Sequence, residues 1–182
     1  MTAIKLSTLS ICLGLALAAF NLFGLVNPAE FKNAARKFPR SLPVGIVLML
    51  AATAWFMWNV SHESLSDFES LKPYLFTLFV GVGVGTCFFI QDFLAVRGLA
   101  VLCLLLGKLM VDTERWVDSP WRLVIALWAY FLVVGGIWFT ISPWRLRDVI
   151  YWMTASEGRI RAGSAVRCAF GLFVAFLGFK VF

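Results

Sequence analysis

Residues 6 to 26 read LSTLSICLGLALAAFNLFGLV, and residues 27 to 40 read NPAEFKNAARKFPR. The first string carries no charge. As a helix rising about 1.5 Å per residue it covers about 30 Å, the thickness of a bilayer's hydrocarbon layer. The second string opens on Asn27-Pro28 and holds Lys32, Arg36, Lys37 and Arg40. A basic segment directly after an apolar run is the mark of a cytoplasmic flank. Lys5 and the triplet Ala16-Leu17-Ala18 give the run some likeness to a signal peptide. The apolar stretch continues past that triplet to Val26, however, so it reads as a retained span.

Working outward, five further apolar stretches have the same character: Leu42 to Val60, Pro73 to Ile90, Phe93 to Val111, Leu123 to Ile141 and Gly163 to Phe182. Across the chain 61% of residues are hydrophobic and 14% charged, against about 45–50% and about 25% in soluble domains. The fold class expected is an all-α, polytopic membrane bundle of about six transmembrane helices, one domain over residues 1–182. Its hairpin units are 4–60, 73–111 and 122–182, with amphipathic helices lying at the interface.

Loop charges set the orientation. Segments 27–41 and 142–162 each carry four Lys or Arg, whereas 61–72 and 112–120 each carry one. The basic loops are expected in the cytoplasm, with the Gln91-Asp92 turn, and both termini on the other side of a bacterial inner membrane. Trp58, Trp116, Trp121, Trp144 and Trp152 fall near the expected interfaces, as an aromatic belt does. The net charge of +6 resides in these flanks, which argues against nucleic acid and for membrane lipid as the partner.

The first and last hairpins read as copies. Val26 leads into Asn27-Pro28-Ala29-Glu30-Phe31, and Ile141 into Ser142-Pro143-Trp144-Arg145-Leu146. Asn27 and Ser142 are candidate N-caps, with Glu30 completing a capping box, and each proline takes the first helical position, where its missing N–H costs nothing. Phe31, Ala34, Ala35 and Phe38 share one face of the next segment, as Leu146, Val149, Ile150 and Met153 do in the second copy. The middle pair of spans reads as a trimmed third copy. The stretch from Ser142-Pro143-Trp144 through Arg159-Ile160-Arg161-Ala162-Gly163 to Phe182 resembles a family of small two-span bacterial inner-membrane proteins of unestablished function. The resemblance implies architecture and a bacterial origin but no chemistry.

Catalytic groups are sparse. His62 is the sole histidine and is placed in a loop, which excludes bis-histidine haem ligation and a histidine-based triad within the membrane. Cys12, Cys87, Cys103 and Cys168 lie inside apolar spans without CxxC spacing and read as packing residues. The carboxylates Glu30, Glu63, Asp67, Glu69, Asp92, Asp112, Glu114, Asp118, Asp148 and Glu157 are all placed in loops or at span ends, so a proton- or sodium-coupled carrier is disfavoured. Neither cofactor nor metal is expected. An enzyme working on lipid through Asp148, Tyr151 and Glu157 ranks last, since their spacing selects no reaction.

The sharp feature is charge inside spans. Arg97 and Lys108 are eleven residues apart, three helical turns, and share a face with Val101 and Leu104 between them. Arg167 enters the last span from the basic end. These three are the candidate contacts for an anion or a lipid headgroup, with snorkelling toward the two surfaces as the structural alternative. Such a fourth span is expected to face other helices, a water-filled cleft or a partner subunit. Gly81 and Gly85 form a GxxxG pair suited to close helix packing. The preferred reading is a non-enzymatic scaffold or accessory subunit, as a homo-oligomer or with a membrane-protein partner. The alternative is a small channel or carrier for an anion or anionic lipid.

Overall fold

The computed structural model describes residues 5–62 and 71–182; Glu63, Asp67 and Glu69 lie outside the described residues. The described residues form eight α-helices: α1 Leu6–Val26, α2 Pro28–Lys37, α3 Leu42–His62, α4 Lys72–Phe89, α5 Leu94–Glu114, α6 Arg122–Ile141, α7 Pro143–Met153 and α8 Glu157–Lys180. A 3₁₀ turn, Phe38–Arg40, joins α2 to α3. Six of the helices, α1, α3, α4, α5, α6 and α8, are long and apolar enough to cross a bilayer. The chain is therefore an all-α, multi-pass membrane protein.

Two boundaries differ from the sequence reading in ways that bear on charge. α5 continues to Glu114, so Asp112 and Glu114 stand on the helix instead of in a loop. α8 begins at Glu157, because the Ser156 hydroxyl accepts a hydrogen bond from the Arg159 amide at 3.3 Å and caps the helix. Arg159 and Arg161 thus belong to the first turns of α8. The capping expected at Asn27 and Ser142 is absent: neither side chain caps, and the Asn27–Glu30 box does not form. Each residue instead ends one helix and starts the next through its backbone, Asn27 donating to the Phe23 carbonyl and accepting from the Phe31 amide. Pro28 and Pro143 do occupy the first turns of α2 and α7.

The three turns that follow α1, α4 and α6 share one geometry. Asn27 has φ −124° and ψ 71°. Ile90 has φ −123° and ψ 70°, and Ser142 has φ −131° and ψ 74°. After Ile90 the chain reverses within Gln91, Asp92 and Phe93, and Phe93 takes a left-handed conformation (φ 55°), unusual for a bulky residue. That strained residue replaces the whole of α2 or α7 in this shortest connection.

Packing runs mainly between the hairpin units and not within them. The second span of each unit lies on the first span of the next: α3 on α4, α5 on α6, and α8 back on α1, with α3 also on α5. α5 is the central span, 44% of its apolar window being buried, whereas α4 at the edge has 11%. α5 thus faces other helices, as its interior charges require. Leu6, Leu9, Met110, Ile125, Ala129 and Val174, from α1, α5, α6 and α8, make the largest apolar cluster.

The glycines decide the closest approaches. A Cβ on Gly14 would lie 2.5 Å from the Gly171 carbonyl oxygen, and one on Gly171 2.6 Å from that of Gly14. Gly14 with Ala18 and Gly171 with Ala175 are the small-xxx-small pairs that bring the α1 and α8 backbones together. The GxxxG pair of α4 makes no such approach among the described residues. Gly81 has nothing within 4 Å and Gly85 meets only its own helix's Phe89, while Gly83 between them packs on Thr53 of α3.

Candidate functional site

The bundle has two chemically distinct ends. α2, α7 and the Gln91-Asp92 turn lie at one end. Lys5, His62, Arg115 and Phe182 line a common cavity at the other, here called the far end.

At the α2–α7 end, polar bonds cross between segments that sequence keeps far apart. Arg36 of α2 donates from Nε to the Thr154 hydroxyl and from a terminal nitrogen to the Thr154 carbonyl, both at 3.0 Å, and lies 4.6 Å from the centroid of the Tyr151 ring. Beneath it, Arg167 of α8 donates from Nε to the Asn21 side-chain oxygen at 2.8 Å, and a terminal nitrogen reaches Met153 Sδ at 3.8 Å. Asn21 is buried (1% exposed), and its amide nitrogen donates to the Leu17 carbonyl at 2.8 Å. A neutral amide thus meets the guanidinium where no carboxylate is at hand. Asn21 was missed in the sequence reading; the available signal was a lone amide within an otherwise apolar span, which asks for a partner.

Arg97 is partly buried four residues into α5, and its Nε is sealed from solvent with no hydrogen-bond partner among the described residues. Lys108 stands at the far end and pairs with Asp112 at 2.7 Å, side chains 45% and 49% exposed. That partner became available because α5 extends beyond the expected boundary. Val101 and Leu104 separate the two cations by about 16 Å of helix rise, and Leu104 packs on the Gly136 position of α6. Arg167 belongs to the α1–α8 seam. The three candidate residues therefore do not converge on one site.

No family model, curated protein or solved structure matches this chain. Its functional reading rests on its own geometry.

The far-end cavity measures ≈ 940 Å³ and lies between α1, α3 and α5. Its origin is legible in the helix faces. Leu94, Ala95 and Gly98 of α5 meet α3 at the other end, where a Cβ on Gly45 would stand 2.7 Å from the Ala95 amide and one on Gly98 2.8 Å from that of Met49. Eleven residues higher, Leu105 and Leu109 occupy the same face of α5. There α3 presents Trp55 and Trp58 in place of glycine, and both line the cavity. The two helices thus meet backbone to backbone at one end and border the cavity at the other. Among the described residues, no three His, Cys, Asp or Glu side chains gather as metal ligands. The four cysteines are free.

Proposed function

We propose that the chain is a non-enzymatic scaffold or accessory subunit of a membrane assembly, seated in a bacterial inner membrane with its α2–α7 end in the cytoplasm. The observation that carries the reading is the edge position of α4, whose Gly81 and Gly85 meet no other helix among the described residues. In lipid, apolar side chains gain little by exchanging acyl chains for a neighbouring helix. Association instead favours small residues that admit a second backbone. The matching turn geometries at Asn27, Ile90 and Ser142 support a threefold repeat of one hairpin, in line with the likeness to two-span proteins.

The test is native sizing after gentle extraction, comparing wild type with the Gly81→Leu/Gly85→Leu variant. The wild type is expected to run above monomer mass, as an oligomer or with a stoichiometric partner, and the variant as a monomer of unchanged melting temperature. A monodisperse wild-type monomer without a copurifying protein overturns the reading.

A second reading, a channel or carrier for an anion or anionic lipid, draws support from the far-end cavity with Lys108 at its wall. Val101 and Leu104 oppose it, since they interrupt the path from Lys108 to Arg97. Flux in proteoliposomes, compared with the Arg97→Gln and Lys108→Gln variants, separates the two; absent or unchanged flux rejects the carrier.

A further inference from the structure

We propose that the far-end cavity is a binding site for a phospholipid, with the lipid phosphate at the rim against Lys5, Lys108 and Arg115 and an acyl chain along the floor. The inference stands independently of the scaffold reading.

Three features of the cavity argue for such a ligand. The first is polarity that changes with depth. Lys5, Arg115 and Asp112 stand at or near the helix ends, while Leu105 lies about a turn deeper along α5 than Lys108. Counting from Glu114, Leu105 sits about 13 Å down α5. A water-soluble anion has no use for that floor, and a hydrocarbon has none for the rim; an amphiphile matches both. The second feature is charge. Among the described lining residues three are Lys or Arg and one, Asp112, is acidic. Lys108 and Asp112 bond to one another yet keep about half of their side-chain surface open, so the pair is not sealed off.

The third feature is access. α1 and α3 both touch α5 but make no substantial contact with each other. The wedge between them leaves a flank through which a chain enters from the acyl layer. Trp58, its ring centroid 4.4 Å from that of His62 and 66% exposed, and Trp116, 84% exposed, flank this mouth. Tryptophan at that level anchors to the headgroup region, which sets the rim at the depth of lipid phosphates. The volume lies within the range of about 300–1,000 Å³ of ligand pockets, enough for a headgroup with the upper part of a chain.

The experiment uses the full chain in a neutral detergent, titrated with short-chain phosphatidylglycerol carrying bromine on one acyl chain, with tryptophan fluorescence as the readout. Saturable quenching is expected, and Trp55→Phe is expected to remove a distinct fraction of it. Lys108→Gln/Arg115→Gln is expected to weaken binding at least tenfold while leaving the circular dichroism and melting temperature unchanged. Brominated diacylglycerol, which lacks the phosphate, is expected to bind at least tenfold more weakly. Inorganic phosphate at millimolar concentration is expected not to displace the lipid. Non-saturable quenching, equal affinity for diacylglycerol, or full affinity in the charge variant overturns the proposal. Displacement by inorganic phosphate also overturns it, by assigning the rim to a free anion.

Discussion

The two ends of the bundle use opposite kinds of side chain against the same neighbours. At the α2–α7 end, Gly45 and Gly98 let α3 and α5 meet backbone to backbone, and the Asn21–Arg167 and Arg36–Thr154 bonds tie α1 to α8 and α2 to α7. At the far end, Trp55 and the exposed Trp58 of α3 line a cavity beside α5, and the Lys108–Asp112 pair there is half-exposed. One end is closed by small residues and internal hydrogen bonds, the other holds a cavity lined in part by large rings. The contrast shows that a single pair of helices can border both a close seam and a cavity when residue size changes along one face.

The comparison breaks most readily at the α1–α8 seam. Gly14→Leu places side-chain atoms where the Gly171 carbonyl stands, and the expected loss is about 3 kcal/mol or more, read as a collapse of folded yield and melting temperature in detergent. Gly81→Leu, with nothing within 4 Å, is the control and is expected to melt with the wild type. Equal melting of both would show that the seam does not exist.

Next in size is the polar clamp. Asn21→Leu strands the Arg167 guanidinium and is expected to cost about 1.5–3 kcal/mol, the range for hydrogen bonds to charged groups. Removing both partners, Asn21→Leu with Arg167→Leu, is expected to recover part of that loss. A double-mutant cycle on thermal or denaturant unfolding measures the coupling, and additive effects would deny the bond. Arg36→Ala is expected to cost about 1 kcal/mol and to speed amide hydrogen exchange in α2 and α7 while sparing the spans.

The smallest effect belongs to the far end. Lys108→Gln removes a half-exposed ion pair and is expected to change stability by about 0.5 kcal/mol or less, measured on the same unfolding curves. A larger loss would mean that the pair holds the cavity together, which would sharpen the contrast in the opposite direction.

Much of the architecture is written in short stretches of sequence. The α1 string predicts its helix to the residue, Leu6–Val26, and Pro28 and Pro143 announce the turns into α2 and α7. The site was less legible. Gly14-xxx-Ala18 and Gly81-xxx-Gly85 have the same spacing, yet only the first forms an interface inside the chain. Asn21 and Arg167 are 146 residues apart, and nothing local to either names the other. The apolar run ends at Val111 and so puts Asp112 in a loop, whereas α5 continues for three more residues to Glu114.

Sequence alone determined the number of spans, their alternation and the basic character of one end, because the thickness of hydrocarbon and the cost of placing charge in it act on each segment separately. Which faces meet was decided only in three dimensions. A helix neighbour and an acyl chain are almost equally apolar, so hydropathy cannot tell them apart; the fit of glycine to backbone, amide to guanidinium and tryptophan to gap does so only once the helices are brought together.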